Sequence, residues 1–137
     1  MPNPSSSVAP LFGRMLICWI FIYSAWGQIV EFHFWAGRAS DKGMPGVAAI
    51  VASITIQLVA GFAVLLGAQA KIAAAALFVF LVPTTLVFHD FWTLQGAARN
   101  AQIINFSRNM GILGGLLFIF TFGAGAYSID ALRRKNS

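Results

Sequence analysis

Residues 47–68 read VAAIVASITIQLVAGFAVLLGA, twenty-two positions without a charged side chain. At about 1.5 Å per residue, such a run is long enough as a helix to cross a hydrocarbon core of about 30 Å. Lipid offers the backbone no hydrogen-bond partners, so each N–H and C=O must be satisfied inside the segment. That favours a helix over an open strand. The period-two alternation of a membrane barrel is absent. Three further runs repeat the pattern: Met15 to Val30, extended by the polar-aromatic stretch Glu31 to Trp35; Ile72 to Phe88; and Asn109 to Ile129. The run Ile72 to Phe88, 17 residues, needs its flanks to reach across. The expected fold is an all-α integral membrane four-helix bundle, one domain over residues 11–132 with spans at about 12–35, 46–69, 71–92 and 103–127. Residues 1–10 are expected to form a disordered tail and residues 133–137 a basic one. The leader holds no positive charge and no A-x-A site follows the first apolar run, so the first span is expected to be retained.

Composition agrees with this reading. Of 137 residues, 58% are hydrophobic and 9% are charged, against roughly 25% charged in an average soluble domain. Nine Lys and Arg with four Asp and Glu cannot coat a globule of 14.8 kDa in water. A soluble enzyme and an intrinsically disordered chain are both excluded. The single cysteine, Cys18, leaves no intramolecular disulfide and no CxxC pair. The net charge of +5 is scattered singly apart from Arg133, Arg134 and Lys135. Basic residues so placed mark span ends and lipid headgroups rather than nucleic acid. Four spans bring both termini to one side, with Arg14, Lys71, Arg133, Arg134 and Lys135. Arg38, Lys42, Arg99 and Arg108 fall on the other. Five against four points to cytoplasmic termini. Trp26, Trp35 and Trp92 gather towards the opposite interface.

Small residues suggest how the spans pack. Ala49, Ser53, Gln57 and Gly61 recur every four residues on one face of the second span. Gly111 and Gly115 form a GxxxG in the fourth, and Ala73 to Ala76 open the third. Pro83 leaves the carbonyl of Val79 without its helical donor, and a kink is expected there.

Chemistry is concentrated on the side away from the termini. Gln28, Glu31 and His33 close the first span; His89 and Asp90 close the third, followed by Trp92 and Gln95. Gln102, Asn105, Ser107, Arg108 and Asn109 lead into the fourth. Ionisable residues at a membrane edge are functional candidates. Glu31, His33, His89 and Asp90 are acceptable metal ligands, yet no HxxxH, ExxH or CxxC spacing fixes two of them on one helix face. The layout suits a quinone or a lipid better. His89, Arg108, Gln28, Gln57 and Asn109 offer hydrogen bonds to a polar head, and Phe88, Phe91, Trp92 and Phe106 offer faces to a ring.

The segment Phe88-His89-Asp90-Phe91-Trp92 resembles the F-H-x-F-W ending of the third span in the DoxX family of membrane proteins. Arg108-Asn109, Gly111 to Leu117, and Gly123 through Tyr127-Ser128-Ile129-Asp130 follow the same family pattern in the same order. Ser24-Ala25-Trp26-Gly27-Gln28-Ile29 is similar to its S-G-W-G-K-I segment, and Gly43-Met44-Pro45 to its G-V-P. The resemblance implies a four-helix protein of a bacterial or archaeal cytoplasmic membrane. Members are named after a small subunit of a quinone-linked oxidoreductase, and others accompany redox or detoxification partners. Two positions depart from the pattern. Gln28 stands where the family often has Lys, and Gln57 where it often has Glu. Two amides would replace an ion pair in lipid, and Gln28 is expected to approach Gln57 across the first two spans.

Together these readings point to an accessory subunit of a membrane oxidoreductase complex, in contact with lipid and with other membrane subunits, holding a quinone or lipid near His89 and Arg108. No residue set points to catalysis by the isolated chain. The alternatives are a purely structural subunit and, third, a small-molecule transporter.

Overall fold

Proline in the first turn, at Pro10, starts the first helix: its missing N–H is one that a helix start leaves unpaired anyway. In the computed structural model, which describes residues 7–136, α1 runs from Ala9 to Val30. It does not continue to Trp35. At Glu31 the backbone leaves helical geometry (φ −109°, ψ 41°), and a separate helix α2 spans Phe32–Asp41. Then follow α3 (Gly46–Leu66), α4 (Ala70–Phe88), one 3₁₀ turn (Phe91–Thr93), α5 (Gly96–Phe122) and α6 (Ile129–Lys135). No strand occurs among the described residues. Four of the helices, α1, α3, α4 and α5, are long and apolar enough to cross a membrane. The tail expected over residues 1–10 lies mostly outside the described residues, and most of the basic C-terminal tail belongs to α6.

The four long helices pack as a ring in the order α1, α3, α4, α5, with α2 laid against α3. The seam between α5 and α1 is the thinnest. Its interior is built from small and medium side chains, among them Cys18, Ala60, Val64, Ala73, Ala74, Leu77 and Leu116. The outer surface carries Leu16, Trp19, Val59, Val79 and Phe118, each more than half exposed. Apolar area on that scale is an interaction surface, here for lipid tails. The polar residues Arg14, Ser53, Gln57 and Thr85 are buried instead. An apolar outside over partly polar contents suits a bilayer.

Close packing follows glycine unevenly. A Cβ on Gly115 would stand 2.6 Å from Cδ1 of Ile17, so α1 and α5 meet there. Gly111 and Gly114 face open space; the GxxxG is therefore half used within the bundle. The stripe on α3 does turn inward, with Ser53, Gln57 and Gly61 buried. Helix α4 runs unbroken through Pro83. The hydroxyls of Thr84 and Thr85 donate to the carbonyls of Phe80 and Leu81 at 2.8 and 2.7 Å.

The end of the bundle that holds both termini is tied by a charged knot. Arg14 is 1% exposed. Its guanidinium donates to the carbonyls of Val64 (3.2 Å) and Leu65 (2.8 Å) at the end of α3, and to that of Tyr127. The Asp130 carboxylate accepts from the backbone N–H groups of Gln69 (2.7 Å) and Ala70 (2.9 Å), capping α4. Gly67 lies between them at φ +68°, where a Cβ would run into Arg14 and Ser128.

Candidate functional site

At the end away from the termini, α1 and α3 present matching pairs. Ser24 and Gln28 are four residues apart on α1, and so are Ser53 and Gln57 on α3. Four residues is a little over one helical turn, so each pair shares a face. Within each pair the amide donates to the serine hydroxyl: Gln28 Nε2 to Ser24 Oγ at 3.4 Å and Gln57 Nε2 to Ser53 Oγ at 2.9 Å. Gln57 is 2% exposed. Both glutamines line one cavity of about 210 Å³, so they share a face of the bundle interior while each amide N–H bonds within its own helix.

The opposite wall of this cavity comes from α4 and α5. Asn109 Nδ2 donates to Thr85 Oγ1 at 2.9 Å, and that hydroxyl in turn donates to the Leu81 carbonyl. His89, the residue that ends α4, places Nδ1 2.7 Å from Gln102 Oε1 on α5. Asn105 Nδ2 donates to the same oxygen at 3.4 Å, and Arg108 donates to Asn105 Oδ1. Because Gln102 Oε1 can only accept, the Nδ1–H of His89 donates in this contact. A line of hydrogen bonds thus runs His89, Gln102, Asn105, Arg108, across the junction of α4 and α5. The interruption of α-helix at residues 89–95 makes this possible, since the chain passes through the 3₁₀ turn and re-enters an α-helix only at Gly96.

The five residues expected around a polar head, Gln28, Gln57, His89, Arg108 and Asn109, line this cavity, with Asn105, Ser24 and Thr84 beside them. Arg108 is exposed rather than withdrawn into the bundle. Trp92 stands apart. Its ring meets Phe91 and Phe106 edge-on at 5.2 and 6.5 Å and is 55% exposed, and Arg99 lies 5.9 Å over Phe91. This aromatic group flanks the network instead of lining the cavity.

The four weaker metal candidates are dispersed. Glu31 sits exposed at the break between α1 and α2, and His33 is exposed with its ring against Phe32. Asp90 pairs with Lys42 at 2.8 Å and accepts from Thr93 Oγ1. His89 is engaged with Gln102. Among the described residues no group of three His, Cys, Asp or Glu side chains comes together.

A second chamber of about 300 Å³ adjoins the first, sharing Ser24, Gln28, Phe80, Thr84 and His89 with it. Helix α2 forms one wall through Trp35 and Ala39. Trp35, on the inner side of α2, is therefore half-buried. Thr84 and the tryptophan's inward role are the residues that sequence reasoning missed. The repeated Ser-x-x-x-Gln spacing in two spans was the available signal for one wall; the break at Glu31, which turns Trp35 inward, left no comparable mark.

The sequence model of the DoxX family matches residues 9–90. The chain is similar to Inner membrane protein YqjF of Escherichia coli, 30% identical over 93% of this chain and 94% of that protein. It is also similar to Inner membrane protein YphA of the same organism, 28% identical over 88% of this chain and 86% of the relative. A more distant likeness, 25% identical, covers 97% of this chain but 44% of a Surfeit locus protein 4 homolog of Drosophila melanogaster. No solved structure matches.

Proposed function

The chain belongs to the DoxX family of membrane proteins, and from that premise we propose that it is a non-catalytic subunit that holds a quinone or lipid head between its helices for a membrane oxidoreductase complex. One observation carries the reading: Gln28, Gln57, His89, Arg108 and Asn109, from α1, α3, α5 and the end of α4, line a single cavity. Its chemistry suits a neutral or weakly polar head. The His89 imidazole offers its second ring nitrogen, the amides both donate and accept, and Arg108 brings a cation to the mouth. The surrounding apolar surface suits the tail. The names of the two Escherichia coli relatives support a place in a bacterial cytoplasmic membrane. The slight excess of basic residues at the end that holds the termini supports a cytoplasmic location for them. The partner subunits supply the redox chemistry in this reading.

Titration of the protein in nanodiscs with a short-chain ubiquinone, and separately with an anionic phospholipid, tests it. Saturable binding of one of them is expected, weakened about tenfold or more by His89→Ala or Arg108→Gln. Absence of binding by both, with the protein still copurifying with an assembled complex, would favour a purely structural subunit.

A further inference from the structure

At the end of the bundle that holds both termini, two open grooves run into one another. The first lies along the seam between α1 and α5, the thinnest of the ring. Pro10, Gly13, Arg14 and Ile17 line it from α1, and Gly115, Phe118, Ile119 and Phe122 line it from α5. Each set follows i, i+3, i+4, i+7, one face of a helix over a rise of about 10 Å. Glycine on both sides leaves a trough of about 330 Å³, and a Cβ on Gly13 would meet nothing within 4 Å. Phe118 and Phe122, stacked at 5.8 Å and mostly exposed, stand along its α5 side. The Arg14 guanidinium is taken up by three backbone carbonyls, so the trough behaves as an apolar one. The second groove, about 590 Å³, continues from the first through Pro10, Phe122 and Gly123, which line both. Arg134 and Lys135 of α6 line it as well, and both are exposed. No Asp or Glu lines either groove. Asp130, the acidic side chain of this end, is held by the N–H groups of Gln69 and Ala70. Arg133 lies on another side of α6, lining a separate groove with Val59, Gln69 and Ile72.

We propose that the two grooves form one site for an anionic glycerophospholipid of the surrounding leaflet, with its phosphate on Arg134 and Lys135 and an acyl chain along the α1–α5 seam. Two cations without a carboxylate beside them complement an anionic head, and the planar fork of Arg134 matches a phosphate. Basic pockets at the ends of membrane helices are suited to such heads. The trough commits the site to a lipid. A soluble phosphate would engage the two cations and leave the apolar seam empty, whereas a phospholipid fills both with one molecule. The site lies at the opposite end of the bundle from the cavity of Gln28, Gln57 and His89, and it stands independently of the function proposed for that cavity.

Native mass spectrometry of the full-length protein in mild detergent tests this, with titration by phosphatidylglycerol and by phosphatidylcholine of the same acyl chains. One phosphatidylglycerol is expected to bind about tenfold more tightly than phosphatidylcholine, whose phosphate is balanced by its own choline. Arg134→Gln combined with Lys135→Gln should abolish that preference. Arg133→Gln, which removes a charge from the same helix, should keep it. Gly13→Leu puts a side chain into the trough and should weaken both lipids about fivefold or more without changing the preference between them. Unfolding midpoints equal to that of the parent protein report that the variants are folded. Equal affinity for the two lipids would overturn the proposal, and so would loss of the preference in Arg133→Gln, which would mean general surface charge and no site. Gly13→Leu without effect would leave the seam unused and defeat it as well. Inorganic phosphate at the lipid's concentration should not displace the lipid; displacement would mean an anion site alone and defeat the proposal. His89→Ala and Arg108→Gln should leave the preference intact, and its loss in either would place the lipid in the other cavity and defeat this one. A preference that persists in a protein that binds no quinone would count against the function proposed above and leave this site standing.

Discussion

At Arg14 a guanidinium binds three backbone carbonyls inside the bundle, from the end of α3 and from the segment before α6. A charge is expensive to bury unless its hydrogen bonds are met, and hydrogen bonds to charged groups contribute about 1.5–3 kcal/mol each. Arg14→Ala should therefore lower the free energy of unfolding in mild detergent by at least about 3 kcal/mol. Arg14→Lys should recover only part of it, since an ammonium lacks the planar fork that reaches three acceptors. An unchanged unfolding midpoint for Arg14→Ala would refute this role. By position alone Arg14 reads as a topology-setting basic residue near the start of a span. Nothing local distinguishes it from Lys71, whose ammonium is exposed and donates to the carbonyl of Thr121. Its three acceptors lie 50, 51 and 113 residues away, and only folding brings them near.

The elements depend on a few stops and close contacts. Asp130 caps α4 from 60 residues along the chain. Replacing a helix-capping acceptor costs about 0.5–2 kcal/mol. Asp130→Ala should fall in that range by thermal unfolding, with faster amide exchange at Gln69 and Ala70 as the local signature. On α5 the two glycines of the GxxxG should separate. Gly115→Ala sets a Cβ against the terminal methyl of Ile17, which must turn aside, and with the helix-propensity gain set against it should cost up to about 1 kcal/mol. Gly111→Ala meets nothing within 4 Å and should be neutral, or stabilising by up to about 1 kcal/mol through helix propensity. The same loss at both positions would mean that the whole motif is a contact. That α1, α3, α4 and α5 are helices was legible in their apolar length. The break at Glu31 was not, because the stretch Phe32 to Trp35 is as aromatic as the span before it. Its separation into α2 depends on packing of Ala36 and Ala39 against α3, where a Cβ on Gly46 would meet the Ala36 carbonyl.

For the whole molecule the key relation is between Gln28 on α1 and Gln57 on α3, which line one cavity. Replacing them singly by Gln28→Lys or Gln57→Glu puts an unpaired charge into the bundle and should destabilise it by several kcal/mol. The double variant should regain at least about 1 kcal/mol of coupling. Two effects that add within about 0.5 kcal/mol would mean that the side chains do not interact. Part of the site's make-up was legible: His89, Arg108, Asn109 and both glutamines were expected to offer hydrogen bonds to one polar head, and the five side chains line one cavity. Trp92 was expected there as well and instead joins Phe91 and Phe106 outside it. By itself the sequence determined the bilayer as solvent, the number of long helices and the end of the bundle that gathers polar groups. Those follow from apolar length and charge placement, which are local sums along the chain. Only the tertiary structure decided which polar groups find partners and which remain orphaned, as at Trp35 and Gln28. Hydrogen bonds form over about 3 Å between atoms far apart in sequence, and helix rotation and the break at Glu31 determine those distances.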